Sequence, residues 1–144
     1  MQEIVTTFFR KYELACIKDD IASAASAFAE NFFYSDGTTA RMLPRAAISA
    51  AAAQRRAAME KGGFGPSRLQ QIDVFPQDAH HAWAATVWIS TPNAKSGHRQ
   101  PLVLRATYLV EVREADVSIV AYLSHTNFAE ALTKAGEKPE SVTR

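Results

Sequence analysis

The run Leu102–Arg113, LVLRATYLVEVR, alternates without a break: Leu102, Leu104, Ala106, Tyr108, Val110 and Val112 fall on one side, and Arg105, Thr107, Glu111 and Arg113 on the other. A period of two over that length describes a strand with one buried face. The same period governs residues 69–75, 82–91 and 117–127, and turn-forming residues stand at 76–79, 92–97 and 114–116. Everything after Gly65 therefore reads as a four-stranded antiparallel meander. On the second of these strands Trp83, Ala85, Val87 and Ile89 make a wholly apolar side and are expected inward as core. Trp88 would then face outward with Leu109 and Tyr122, all large for a solvated surface, so a homodimer through the outer sheet face is expected.

Upstream of Gly65 the period is helical. Val5, Phe9, Tyr12 and Cys16 mark one face of a helix over residues 3–18, with Ile4, Phe8 and Ala15 beside them. Asp19 and Asp20 suit a break and a new N-cap, after which Ile21, Ala24, Ala25 and Phe28 repeat the spacing. A third helix is signalled by Pro44 and an alanine-rich run to Met59, and it stops at Gly62 and Gly63. Its inner stripe is Ile48, Ala51, Ala52 and Met59. Helices first and a curled sheet after define an α+β class, with three N-terminal helices on a curved, mostly antiparallel sheet. Residues 1–135 form one domain, and 136–144 read as a polar, frayed tail.

Composition narrows the partners. The 144 residues are 47% hydrophobic, enough for a core without disulfides or metal, and 16 basic side chains against 15 acidic ones leave no excess for tracking phosphates, so nucleic acid is not expected. The lone Cys16 sits among Leu14, Ala15 and Ile17 as a small buried hydrophobe, which fits a reducing, cytoplasmic setting. No apolar run approaches the ~18 residues of a membrane span, so no membrane association is expected.

Most candidate chemistry has a plain structural reading. His80 and His81 are adjacent and point apart, so a polar turn explains them better than a metal pair. His98 lies in PNAKSGHRQ, where exposure accounts for it, and Gly62-Gly63-Phe64-Gly65 ends a helix instead of opening one. Ser124 and His125 are neighbours on opposite faces and cannot activate each other. His125 continues the series Ile119, Ala121 and Leu123, which puts it at the rim of whatever the sheet encloses, as a satisfied histidine or a catalytic one. Within AFAENFFYSDG, residues 27–37, Phe32, Tyr34 and Asp36 share one face. Two readings of Asp36 stand open: a carboxylate desolvated by aromatics, with a raised pKa suited to a general base, or the first residue of an Asp-Gly hairpin turn between FFYS and TTARM.

The order of elements, from FFRKYELACIKDDIASAASAFAENFFYSDG through LPRAAISAAAAQRRA to a meander ending AYLSHTNF, resembles the nuclear transport factor 2-like superfamily over residues 3–132. That superfamily includes SnoaL-like polyketide cyclases and ketosteroid isomerases. The resemblance implies a cone-shaped α+β barrel, a sheet wrapped around the first helix with a pocket at its open end. In the ketosteroid isomerase branch a tyrosine on the first helix is an oxyanion donor, matched here by Tyr12, and an aspartate after the second helix is the general base, matched by Asp36. The branch's second, carboxylic-acid donor has its counterpart near Ala106, with no Asp or Glu between Arg99 and Val110. Tyr12 equally suits a core tyrosine on its helix stripe.

The expected function is a small-molecule enzyme or binding domain of the SnoaL-like kind, acting on an apolar or cyclic carbonyl compound. Asp36 would move a proton beside the carbonyl, Tyr12 would hold the developing enolate, and Tyr34, Met59, Val87, Ala106, Tyr108 and His125 would line the cavity. No motif for a metal, nucleotide or flavin is present, so no cofactor is expected. The alternative is a non-catalytic dimeric carrier or scaffold whose cone is filled by its own side chains.

Overall fold

The structure, a computed structural model, describes residues 1–93 and 100–136. Helix α1, Gln2–Ile17, buries Val5, Phe9 and Glu13 along one side and Ala15 on the cavity side. Glu13 is a charge on that buried side, and the expected stripe did not include it. Its Oε2 accepts from the backbone N–H of Leu69 at 2.7 Å, and Arg10 and Arg68 reach its carboxylate at 3.1 and 3.4 Å. The carboxylate thus fastens α1 to the strand that begins at Arg68, and the bonds it accepts offset its desolvation.

Asp20 caps α2, Ile21–Ser26, accepting from the backbone N–H of Ser23. The chain then enters β1, Phe28–Ser35, and returns through β2, Ala40–Pro44. Pro44 therefore closes a strand, and helix α3 runs Ala46–Gly62, ending at Gly63 in the left-handed conformation at φ 82°. The meander follows as β3 (Arg68–Pro76), β4 (His81–Ser90), β5 (Leu102–Arg113) and β6 (Asp116–Ser124), and α4, Phe128–Gly136, closes the described chain. Six strands form one open sheet in the order β2-β1-β6-β5-β4-β3, antiparallel except for β1 against β6. The α+β class and the helix-covered, mostly antiparallel sheet are as expected; β1 and β2 add a hairpin to the four-stranded meander, Phe28 opens β1 instead of continuing the second helix, and α4 is additional. The loop carrying His98, and the expected tail beyond Gly136, lie outside the described residues.

The expected faces of β4 are reversed. Ala82, Ala84, Thr86, Trp88 and Ser90 are buried against the helices, whereas Trp83, Ala85, Val87 and Ile89 are half-exposed on the outer face. Small side chains are wanted inward because helix and sheet meet there, and the two hydroxyls that come with them are satisfied. Thr86 Oγ1 donates to the Ala106 carbonyl at 2.8 Å and accepts from Trp88 Nε1 at 2.9 Å, and Ser90 Oγ lies 2.9 Å from Ser67 Oγ. Trp83 is accordingly an outer-face residue and Trp88 an inner one.

β6 departs from simple alternation as well. Val110 pairs with Ile119 but Leu109 pairs with Ala121, so Val120 is an extra residue that shifts the register. Past this bulge Tyr122 stands opposite Tyr108 and shares its inward face, and His125 is exposed. Of the three residues expected to carry a dimer contact, Trp88 and Tyr122 face inward, and Leu109 remains on the outer face.

Candidate functional site

Helices α1, α2 and α3 and the inner face of the sheet enclose a cavity of about 400 Å³. Ala47, Ile48, Ala51 and Ala52 of α3 form one wall, and the short side chains of its three alanines leave space. The other walls are aromatic: Tyr12 from α1, Phe32 and Tyr34 from β1, Trp88 from β4, Tyr108 from β5 and Tyr122 from β6. These rings brace one another. Tyr108 and Tyr122 stack at 4.9 Å and 20°, Tyr34 meets Tyr122 edge-on at 5.4 Å, and Tyr12 meets Trp88 edge-on at 5.9 Å.

Burial pushes the Tyr12 and Tyr108 hydroxyls well above their usual pKa, with neighbouring Cys16 and Tyr122 adding to the effect at Tyr12, and Tyr122, Tyr12 and Cys16 at Tyr108. Both therefore stay protonated at neutral pH and can donate. Cys16 also borders the cavity, and burial raises its thiol to about 11, so it too stays protonated.

Arg55 projects from α3 into this aromatic wall. Its guanidinium lies 4.7 Å above the Phe128 ring, and it shares the cavity lining with Tyr122. Burial opposes its charge, and attraction to Tyr122, Tyr108 and Tyr12, which acts only where those tyrosines ionise, raises its pKa, so at neutral pH the guanidinium stays charged among neutral phenols. Among the described residues no carboxylate pairs with it. Arg55 was absent from the expected site, but the sequence carried a signal: it interrupts the inner stripe of α3 between Ala52 and Met59.

Asp36 belongs to the turn between β1 and β2, outside the cavity lining. Its Oδ1 accepts from the Thr38 and Thr39 backbone N–H groups at 2.9 and 2.8 Å and from Thr38 Oγ1 at 2.9 Å, and its Oδ2 accepts from the Tyr34 hydroxyl at 3.0 Å. Those donors stabilise the anion and hold the carboxyl down to about 2, the opposite of the raised pKa expected for a desolvated base. Gly37, at φ 90°, makes the reversal that an Asp-Gly turn requires. Tyr34 bridges the two regions, since it both lines the cavity and donates to Asp36; burial first, and then Asp36, raise its own pKa to about 12.

Of the other expected lining residues, Tyr34, Ala106 and Tyr108 border the cavity. Met59 is buried in the core behind it, and Val87 faces outward with Trp83 because β4 is turned over. His125 is exposed on the far side of the bulge, its Nε2 2.6 Å from Thr107 Oγ1.

No family model matches the chain, and no curated protein does. Solved structures do. An NTF2-like protein of unknown function from Shewanella oneidensis superimposes with a TM-score of 0.68 at 15% identity, covering 87% of this chain and 98% of that one. A candidate polyketide cyclase from Xanthomonas campestris gives 0.61 at 16% identity over 92% and 97% of the two chains. A candidate scytalone dehydratase from Novosphingobium aromaticivorans gives 0.65 at 11% identity over 88% and 83%. At these identities the likeness speaks for the fold: the chain has the NTF2-like, cystatin-like fold.

Proposed function

We propose that the chain is a small-molecule-binding domain of the SnoaL-like kind, with the aromatic cavity as its site and a cyclic, largely apolar carbonyl compound as its ligand. The observation that carries this reading is the cavity of about 400 Å³, a volume in the range of small-molecule sites, walled by rings and supplied with protonated tyrosine hydroxyls. Tyr12 and Tyr108 would donate to a carbonyl oxygen. The structural neighbours described as a polyketide cyclase and a scytalone dehydratase are compatible with a ligand of that size and shape.

Binding is better supported than turnover. The proton-transfer scheme keeps its oxyanion donor in Tyr12 but loses Asp36, and the carboxylates among the lining residues, Asp19 and Asp20, are exposed at the rim. A homodimer through the outer sheet face remains part of the proposal, now resting on Trp83, Val87, Leu109 and the exposed Phe75, whose strand neighbours bring them together.

The test uses 1-tetralone, a bicyclic ketone, and the variant Trp83→Phe, in which Trp88 is the sole remaining tryptophan of the sequence's 2. Titration should quench Trp88 fluorescence saturably. Adding Tyr12→Phe should weaken binding by about 3- to 10-fold, the value of one neutral hydrogen bond. No saturable change would sink the pocket reading, and equal affinity without the Tyr12 hydroxyl would remove Tyr12 as the donor.

A further inference from the structure

Taking the cavity as a ligand site, we infer that Arg55 is its anion-recognition residue and that the natural ligand is a ring compound bearing a carboxylate. The inference starts from a charge without a counter-ion. Arg55 lies over the Phe128 ring at 4.7 Å and lines one cavity with Tyr122, Tyr12 and Tyr108, and none of these is an anion. Arg55 is half-buried, and a cation drawn partly out of water beside neutral groups is stabilised by an opposite charge. Ring faces and phenolic oxygens supply part of that stabilisation. A carboxylate entering the cavity would supply the rest, in the planar, two-point geometry that a guanidinium offers and an ammonium does not.

The remaining charges of the lining point the same way. Four arginines, Arg41, Arg55, Arg56 and Arg105, border the cavity against two carboxylates, Asp19 and Asp20. Arg56 is already engaged, its Nε 3.1 Å from Glu60 and its NH1 group donating to the Cys16 carbonyl at 3.0 Å, and Asp20 is engaged in capping α2 through Ser23. Arg41 and Arg105 are exposed, so they can draw an anion toward the mouth, while Arg55 is the cation placed among the rings. A flat ring acid would lie along the stacked Tyr108 and Tyr122 with its acid group at Arg55, leaving the Tyr12 and Tyr108 hydroxyls for a ring oxygen.

Two probes of one shape separate charge from shape: 2-naphthoate and its neutral amide, 2-naphthamide, titrated calorimetrically at pH 7 into wild type, Arg55→Gln and Arg55→Lys. We expect the carboxylate to bind wild type about 10- to 100-fold more tightly than the amide, the range for a hydrogen bond to a charged group. Arg55→Gln should collapse that ratio to near unity while leaving amide affinity within about 3-fold of wild type, and Arg55→Lys should restore only part of the ratio. If wild type binds both probes alike, the inference is overturned and the pocket reading stands. If neither probe binds, both fall. The wild-type ratio decides even where Arg55→Gln fails to fold, and a preference abolished by Arg41→Gln or Arg105→Gln with Arg55 intact would also overturn the assignment.

Discussion

Trp83 and Trp88 lie on one strand, β4, and face opposite ways. Trp88 is buried, bonded through its indole N–H to Thr86 and set edge-on against Tyr12. Trp83 is half-exposed between Phe75 and Leu109, its strand neighbours on either side. The wholly apolar side of this strand is the outer one, and the side that mixes alanine with hydroxyls is the inner one. An inner face that must admit a helix and leave a cavity needs small residues, and its few polar atoms are tolerated because each finds a partner. Apolar character alone therefore ranks the two faces wrongly wherever the core also encloses empty space.

The largest effect expected from this comparison is on stability. Trp88→Ala removes a buried ring and leaves the Thr86 hydroxyl without its indole donor, and should cost about 3–5 kcal/mol in urea unfolding. Trp83→Ala should cost about 1 kcal/mol, a typical value for a half-exposed side chain. Equal losses at the two positions would break the assignment of faces.

The next effect is on association and not on folding. If the outer face pairs with a second copy, Trp83→Glu should return the mass in light scattering to that of the 15.8 kDa chain, with the fold retained by circular dichroism. A wild type that already runs at the monomer mass would remove the dimer proposal and leave the outer stripe without a stated partner.

The smallest effect belongs to the β1–β2 turn. Asp36 titrates at about 2 in the folded chain, below the ~3.9 of a free aspartate, so its contribution to stability is present above pH ~4 and is lost as the pH falls toward 2. Asp36→Asn should flatten the stability profile in that window and leave 1-tetralone affinity unchanged. A carboxylate resonance titrating above 4, followed by NMR, would return Asp36 to the role of a desolvated base.

Period and punctuation were enough to read the class, the three N-terminal helices, the four strands of the meander and the Asp-Gly turn, because each rests on spacing within one segment. The strand β2 and the helix α4 escaped because β2 is short and mostly exposed and α4 follows a strand whose end was set too late. The site was legible only in part. Tyr34 and Tyr108 follow from strand alternation and Tyr12 from the family resemblance, and all three border the cavity, whereas Val87, His125 and Tyr122 lie on the face opposite to the one their spacing predicts. Two facts of tertiary structure account for this: a single extra residue, Val120, inverts the end of β6, and the demand for space inside inverts the expected polarity of β4. Which charge faces the cavity was likewise a matter of tertiary structure. Asp36 stands beside aromatic residues in the chain and Arg55 on an alanine-rich helix stripe, but only packing decides that four local donors satisfy Asp36 within its own turn while Arg55 meets the cavity rings, half-buried and with no carboxylate partner among the described residues.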